Sequence, residues 1–181
     1  LNMRFFGLGA KAMEKLGVST SLLSAADIFP ALERGAIDAT EFSMPRIDAR
    51  LGFHKIAKYN YYPGWHQPST LFELLINGDV WEDLSDTAKT QIEVACLANI
   101  TTNLAEGEAT NYAAMIRSTE EFGVILKQWS PEMLDAFEGA WDEVVVELAD
   151  GDAFFQEVWA DLQEYRAGYK VWSSNIYMPR N

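Results

Sequence analysis

Arg4, Asp38, Glu41 and His66, with the amide of Gln67 next to the last, are the polar side chains whose types and settings suggest chemistry. Arg4 interrupts the apolar stretch Met3-Arg4-Phe5-Phe6, and Glu41 closes Ala36-Ile37-Asp38-Ala39-Thr40-Glu41-Phe42. A guanidinium is a planar fork of donors that matches a carboxylate through two parallel bonds. A carboxylate or imidazole held near a guanidinium can instead act as general base on an organic acid, and Glu41, Asp38 and His66 are the candidates for that role. From spacing alone, a solvated arginine at a strand edge is the plainer reading of Arg4. His54, His66 and Cys96 are the whole supply of histidine and cysteine, too few soft ligands for a transition-metal site. Gly7 and Gly9 lack the third glycine of a dinucleotide fingerprint, and no nucleophile motif or phosphate loop is present.

The elements that would position these groups read as follows. Met3 to Phe6 is a short strand, Gly7 to Gly9 a turn, Ala10 to Leu16 a helix closed by Gly17, and Val18 to Leu23 a second strand. Asp27 can cap a helix with Pro30 in its first turn and Ile28 and Leu32 on one apolar face. Gly35 suits the left-handed residue just past its end, and Ala36 to Phe42 follows as a third strand. A β-α-β-α-β order predicts an α/β fold with a mostly parallel sheet and crossover helices. Ligands on such sheets bind beyond the carboxyl ends of the strands, where Glu41 and Phe42 fall.

Beyond Ser43, Pro45 opens a short helix, Phe53 to Lys58 is amphipathic, and Tyr59-Asn60-Tyr61-Tyr62 is β-prone. Leu71 to Ile76 reads as a buried strand and Asn77-Gly78 as a turn. Ser85 caps a helix that continues to about Arg117 without a proline, and Gly123 to Gln128 is another strand. Ser130-Pro131-Glu132 starts a helix whose Leu134, Phe137, Trp141, Val144 and Val145 recur at core spacing. The last helix starts near Asp152 and carries an aromatic seam of Phe155, Trp159, Tyr165, Tyr169 and Trp172, the kind of surface that packs on something outside its own lobe. Ser173 to Asn181 reads as extended.

Fourteen basic and 27 acidic residues give a formal net charge of −13, which argues against non-specific binding to nucleic acid or an anionic membrane. Apolar residues make up 49% of the 181, enough for a core in one domain or slightly more. No apolar run approaches the ~20 residues that span a bilayer.

The run from Met3 to Gln67 resembles the solute receptors of tripartite ATP-independent periplasmic (TRAP) transporters, in the branch that binds 2-oxo acids and related carboxylates. Carrying the resemblance are Met3-Arg4 with its glycine turn, Asp27-Ile28-Phe29-Pro30-Ala31-Leu32-Glu33-Arg34-Gly35, Ala36-Ile37-Asp38-Ala39-Thr40-Glu41-Phe42 and Pro63-Gly64-Trp65-His66-Gln67-Pro68. It implies a periplasmic-binding-protein-like fold of type II, represented by its second lobe with crossing segments and long C-terminal helices, and a first lobe with its secretion signal ahead of Leu1. Residues 1–42 would begin the substrate-binding lobe, 43–68 cross at the hinge, 69–150 complete the lobe with a bracing helix, and 151–181 form the C-terminal aromatic helix and tail.

The resemblance further implies a periplasmic receptor, not an enzyme, that hands a small carboxylate to membrane permease subunits and can pair as a homodimer by exchanging its C-terminal helix. Arg4 would clamp the carboxylate, with Glu41, Phe42, Trp65 and Gln67 also at the substrate. A cation would bridge ligand and protein through the Glu41 side chain, the Phe42 carbonyl and Gln67. The pattern usually has Trp where Phe42 stands and Glu where Gln67 stands. With one negative charge fewer, the site favours sodium over calcium, with no metal as a further alternative. Two other readings remain open: an organic-acid enzyme using Glu41 or His66 as base, and a sensor domain on the same binding fold.

Overall fold

Three short strands meet side by side and end together, and the site grows from that edge. In the computed structural model, which describes residues 1–67 and 69–178, β1 (Asn2–Arg4) lies between β2 (Ser19–Ser21) and β3 (Ala39–Thr40), both parallel to it. The register sets Arg4 opposite Ser21 on one side and Thr40 on the other. The chain therefore leaves all three carboxyl ends at one level, carrying Phe5, Leu23 and Glu41. Helix α1 (Leu8–Lys15) links β1 to β2, and α2 (Ala25–Glu33) links β2 to β3. The predicted order and parallel sense are both present, in strands shorter than the sequence suggests.

Helix α2 starts earlier than its sequence indicates. Ser24 holds the N-cap position, and its hydroxyl donates to Asp27 at 2.6 Å, so Asp27 lies inside the first turn and caps nothing. Pro30 is the sixth helical residue, past the turn where a missing N–H is harmless. Burial of Ile28 and Ala31, with Phe29 and Leu32 packed beside them, holds the helix across that gap. Gly35 does take the left-handed conformation at φ +70°.

After Phe42 come α3 (Pro45–Leu51), a single 3-10 turn at Phe53–Lys55, and β4 (Tyr59–Tyr62), which pairs in parallel with the distant β5 (Ile125–Gln128). Between them, Leu71 to Ile76 is not a buried strand. It has no regular structure, and Leu71, Phe72 and Leu75 are 85–91% exposed, because no described strand offers them an edge. Asn77 is not part of a free turn either: its side chain accepts the Asp79 and Val80 N–H groups and caps α4 (Gly78–Asp83). Helix α5 (Asp86–Glu120) starts at the predicted Ser85 cap and has 35 residues, or about 52 Å at 1.5 Å per residue. None of them is buried, and Val94, Leu97, Ile100 and Leu104 form an exposed apolar stripe.

Helix α6 (Pro131–Ala149) starts at Ser130, whose hydroxyl accepts the Met133 N–H, and lies along α1. Ala12 meets Ala140 and Val144 there, all but fully buried, and Lys15 pairs with Glu147 at the rim. Helix α7 (Ala153–Ile176) runs through the segment expected to be extended: residues 173–176 are helical, and 179–181 lie outside the described residues. Ser173, Ser174 and Asn175 do not break the helix, because their side chains donate back to the carbonyls of Lys170 and Val171 within it.

Phe5, Met13 and Phe137 form the cluster under the sheet, closed by Trp65 and Trp129. Gly9 lies hard against it: a Cβ there would overlap the Phe5 ring and stand 2.9 Å from Cδ2 of His66. Neither neighbour is a flexible side-chain end. Gly9→Ala is expected to cost about 1–3 kcal/mol through overpacking, read as a lower urea midpoint with unchanged slope. An unchanged midpoint would contradict this close approach.

Candidate functional site

Arg4 is 6% exposed, the one buried charged residue among those described, which rules out a solvated strand-edge arginine. A guanidinium has five N–H donors. Its Nε donates to the Leu23 carbonyl at 3.3 Å, and Nη1 donates to the Glu41 carbonyl at 3.0 Å and to Glu41 Oε1 at 2.6 Å. The end of β2 and the end of β3 thus hold three donors. The two on Nη2 meet no acceptor among the described residues.

Glu41 Oε1 also accepts the Phe6 N–H at 2.8 Å, so one carboxylate oxygen ties the exits of β1 and β3 together. Among the described residues Oε2 accepts no hydrogen bond; His66 Nε2 lies 3.6 Å from it, beyond hydrogen-bond distance. Burial pushes the Glu41 carboxyl above the usual carboxylate range, with Arg4 and the Phe6 N–H opposing it. Burial, seconded by Arg4, pushes the His66 imidazole below its ordinary value. The His66–Glu41 contact is accordingly one between a neutral ring and a carboxylate, not an ion pair. His66 Nε2 is buried without a partner among the described residues.

Aromatic rings wall this pair. The Phe42 ring lies 5.4 Å from the Arg4 guanidinium carbon, and that of Phe6 lies 6.0 Å from it, within cation–π reach. Trp65 stacks on Phe137 at 4.7 Å and 18°, with Phe5 and His66 against its other sides. Of the residues singled out from sequence, Arg4, Glu41, Phe42 and His66 come together. Trp65 is joined to them through Phe5 and His66. Gln67 is next in the chain to His66, but its side chain is exposed and its amide nitrogen donates to Thr70 at 2.8 Å. Asp38 faces the other way, accepting the Asn2 N–H at 2.8 Å at the amino ends of the strands, and has no place in the site.

No three side chains of His, Cys, Asp or Glu gather among the described residues. The groups that suit a cation are oxygens of a different kind: Glu41 Oε2, the Phe42 carbonyl and the Gln67 amide oxygen, none of which accepts a hydrogen bond there. Oxygens of this kind suit a hard cation and not a soft one.

Sequence reasoning missed Asp48. Its carboxylate reaches back from the first turn of α3 to accept the Ser43 N–H at 3.1 Å, directly after Phe42. It lines a cavity of about 100 Å³ with Phe42, Phe53, His54, Asn60 and Ser118. Burial, opposed by the Ser43 N–H and aided by Glu41, pushes its carboxyl up to about 7. The one signal in the sequence was an acid in the first turn of a proline-initiated helix.

The chain is similar to known proteins over nearly all of its length. The family model for bacterial extracellular solute-binding proteins of family 7 matches residues 1–152. A monocarboxylate 2-oxoacid-binding periplasmic protein of Nostoc sp. is 33% identical over 173 residues, covering 96% of this chain and 47% of its own length. A TRAP transporter solute-binding protein of Bordetella bronchiseptica superposes with a TM-score of 0.83 at 33% identity, over 97% of this chain and 53% of that one; it is a mixed-occupancy dimer with calcium and picolinate in its site. Another from Pseudoalteromonas atlantica, with sodium and pyruvate bound, superposes at 0.84 with 27% identity, over 97% and 54%. The chain spans about half the length of the relatives it matches, and the periplasmic-binding fold extends through nearly all of it.

Asp48 binds its proton more tightly in the folded chain than in the unfolded one, where it titrates near 3.8. Its share of stability is therefore greatest in acid and is lost as pH rises toward 7. Asp48→Asn, which keeps an acceptor for Ser43, is expected to exceed the parent in stability at pH 8 by about 2–4 kcal/mol, with the gap closing near pH 4. Denaturant titration across that range checks it, and a gap independent of pH would contradict the assignment.

Proposed function

The chain belongs to family 7 of the bacterial extracellular solute-binding proteins, and from that premise we propose that it captures a small 2-oxo acid in the periplasm for a TRAP-type transporter. It is a binding protein and not an enzyme. The observation that carries the ligand class is the Arg4 Nη2 group. Two unmatched donors on a buried guanidinium, at the carboxyl edge of a parallel sheet, call for an anion with oxygen acceptors. The name of the Nostoc relative and the pyruvate in the Pseudoalteromonas neighbour support a 2-oxo monocarboxylate. In this reading Arg4 clamps the carboxylate through Nη2, the rings of Phe42 and Trp65 shape the apolar side, and Glu41 and Gln67 border the polar side.

Charge fixes the rest of the reading. Arg4 and Glu41 cancel, so an incoming monocarboxylate leaves the site at −1. A sodium ion on Glu41 Oε2, the Phe42 carbonyl and Gln67 restores neutrality in a setting where uncompensated charge is expensive. Calcium, held by the Bordetella neighbour, would overshoot by one charge, since Gln67 is neutral. It also takes six to eight oxygens. Residues 1–42 and 69–150 then form the substrate lobe, with α5 bracing it against the rest of the protein, and 43–67 carry the crossing; Pro68, which ends that crossing in the motif, lies outside the described residues.

The partners in this reading are the permease subunits and a second copy of the chain. The α7 seam leaves Tyr165, Tyr169 and Trp172 exposed by 45–66%, and the Bordetella neighbour is a dimer.

Three outcomes are expected. In a two-lobe form of the protein, Arg4→Ala should weaken pyruvate binding by about 2–5 kcal/mol in calorimetry, and Arg4→Lys should recover little because it lacks the fork. Parent-like binding by Arg4→Ala would end the clamp assignment. Pyruvate affinity should be higher in sodium than in potassium or calcium buffers, and equal affinity in all three would end the sodium bridge. Sedimentation at micromolar concentration should give a dimer that Trp172→Asp dissociates, while a monomeric parent would remove the seam as an interface.

A further inference from the structure

We propose that Asp48 is a positioning residue for the cation: it orients the Phe42–Ser43 peptide so that the Phe42 carbonyl is presented to the ion. The inference rests on the sodium-bridge reading above and adds to it a residue that makes no contact with ligand or ion.

The geometry is that of a single peptide plane. The Phe42–Ser43 bond is trans, so its N–H and its C=O point in opposite directions from one rigid unit. Asp48 Oδ1 accepts the N–H at 3.1 Å, and this is the one hydrogen bond that either end of the plane makes among the described residues. Fixing the N–H toward α3 therefore fixes the carbonyl away from α3. Without Asp48, nothing described would stop the plane from turning. The residues on either side are already anchored: Thr40 Oγ1 and Arg4 Nη1 both donate to the Glu41 carbonyl, and the Met44 carbonyl accepts the first turn of α3. The Phe42 carbonyl is left without a donor among the described residues.

Asp48 is well held for this task. It extends from a proline-initiated helix, whose residue Arg46 is tied to the long α5 by its N–H to Asn111 and its guanidinium to Glu106. The carboxylate reaches Ser43 from within the wall of the cavity described above.

The test uses the two-lobe protein and reads sodium directly. Sodium-23 line broadening with pyruvate present reads ion binding directly, and calorimetry measures pyruvate affinity with sodium and with potassium. Asp48→Ala, which removes the acceptor, should lose about tenfold in sodium affinity, the size of one oriented charge-assisted hydrogen bond, and should bind pyruvate in potassium as the parent does. Asp48→Asn keeps an acceptor and should bind sodium within about twofold of the parent. If Asp48→Ala weakens pyruvate equally in both salts, the residue is merely structural and the proposal fails. Retained sodium affinity in Asp48→Ala also overturns it. A parent that binds no sodium overturns the bridge itself, which the parent arm shows independently of any variant.

Discussion

The ion pair between Arg4 and Glu41 sets the terms for everything around it. Taking a guanidinium and a carboxylate out of water costs several kcal/mol each, and their attraction offsets that only where the remaining donors and acceptors are matched. Here the matching is done by backbone from three strand ends: the Leu23 and Glu41 carbonyls for Arg4, and the Phe6 N–H for Glu41. The three strands must end at the same level for this to work, which is what the parallel register supplies. Displacing either partner would leave the other charged and poorly solvated beside Phe6 and Phe42.

That pair is neutral as a unit, yet its two halves are not equally satisfied. Arg4 retains two donors on Nη2, and Glu41 retains Oε2 as an acceptor facing an imidazole that burial keeps neutral. A site with spare donors and one spare acceptor suits an anion and a cation together better than either alone. The aromatic cluster of Phe5, Trp65 and Phe137 packs beside this polar centre, with Trp65 nearly flat on Phe137. The close approach of Gly9 belongs to the same constraint. Around the edge, the chain after Phe42 is held by Asp48 from α3, so the side of the site facing away from the sheet is anchored by a helix start.

The β-α-β-α-β order was legible because Gly17 and Gly35 stop its two helices, and farther on Ser85 and Ser130 mark the starts of α5 and α6. Spacing alone read Arg4 as solvated and only the family resemblance gave it a role, whereas Glu41 and Phe42 could be placed at the carboxyl edge from topology. The burial of Arg4 could not, since it depends on Leu23 and Glu41 arriving from elsewhere in the chain. Asp48 was invisible for the same reason, its meaning lying in a peptide five residues back. Leu71 to Ile76 has the composition of a buried strand but no described edge to join, so composition gave the wrong state. At the C-terminus, Ser173 and Ser174 donate to carbonyls of their own helix instead of ending it, and the helix runs on to Ile176.

The central claim is that an organic carboxylate binds the unmatched face of Arg4 while the pair with Glu41 stays intact. A crystal structure of the two-lobe protein with bound pyruvate tests it most directly. The account predicts pyruvate carboxylate oxygens within about 3 Å of Arg4 Nη2, with Nη1 still on Glu41. Pyruvate bound away from Arg4, with Nη2 open to water, would contradict it.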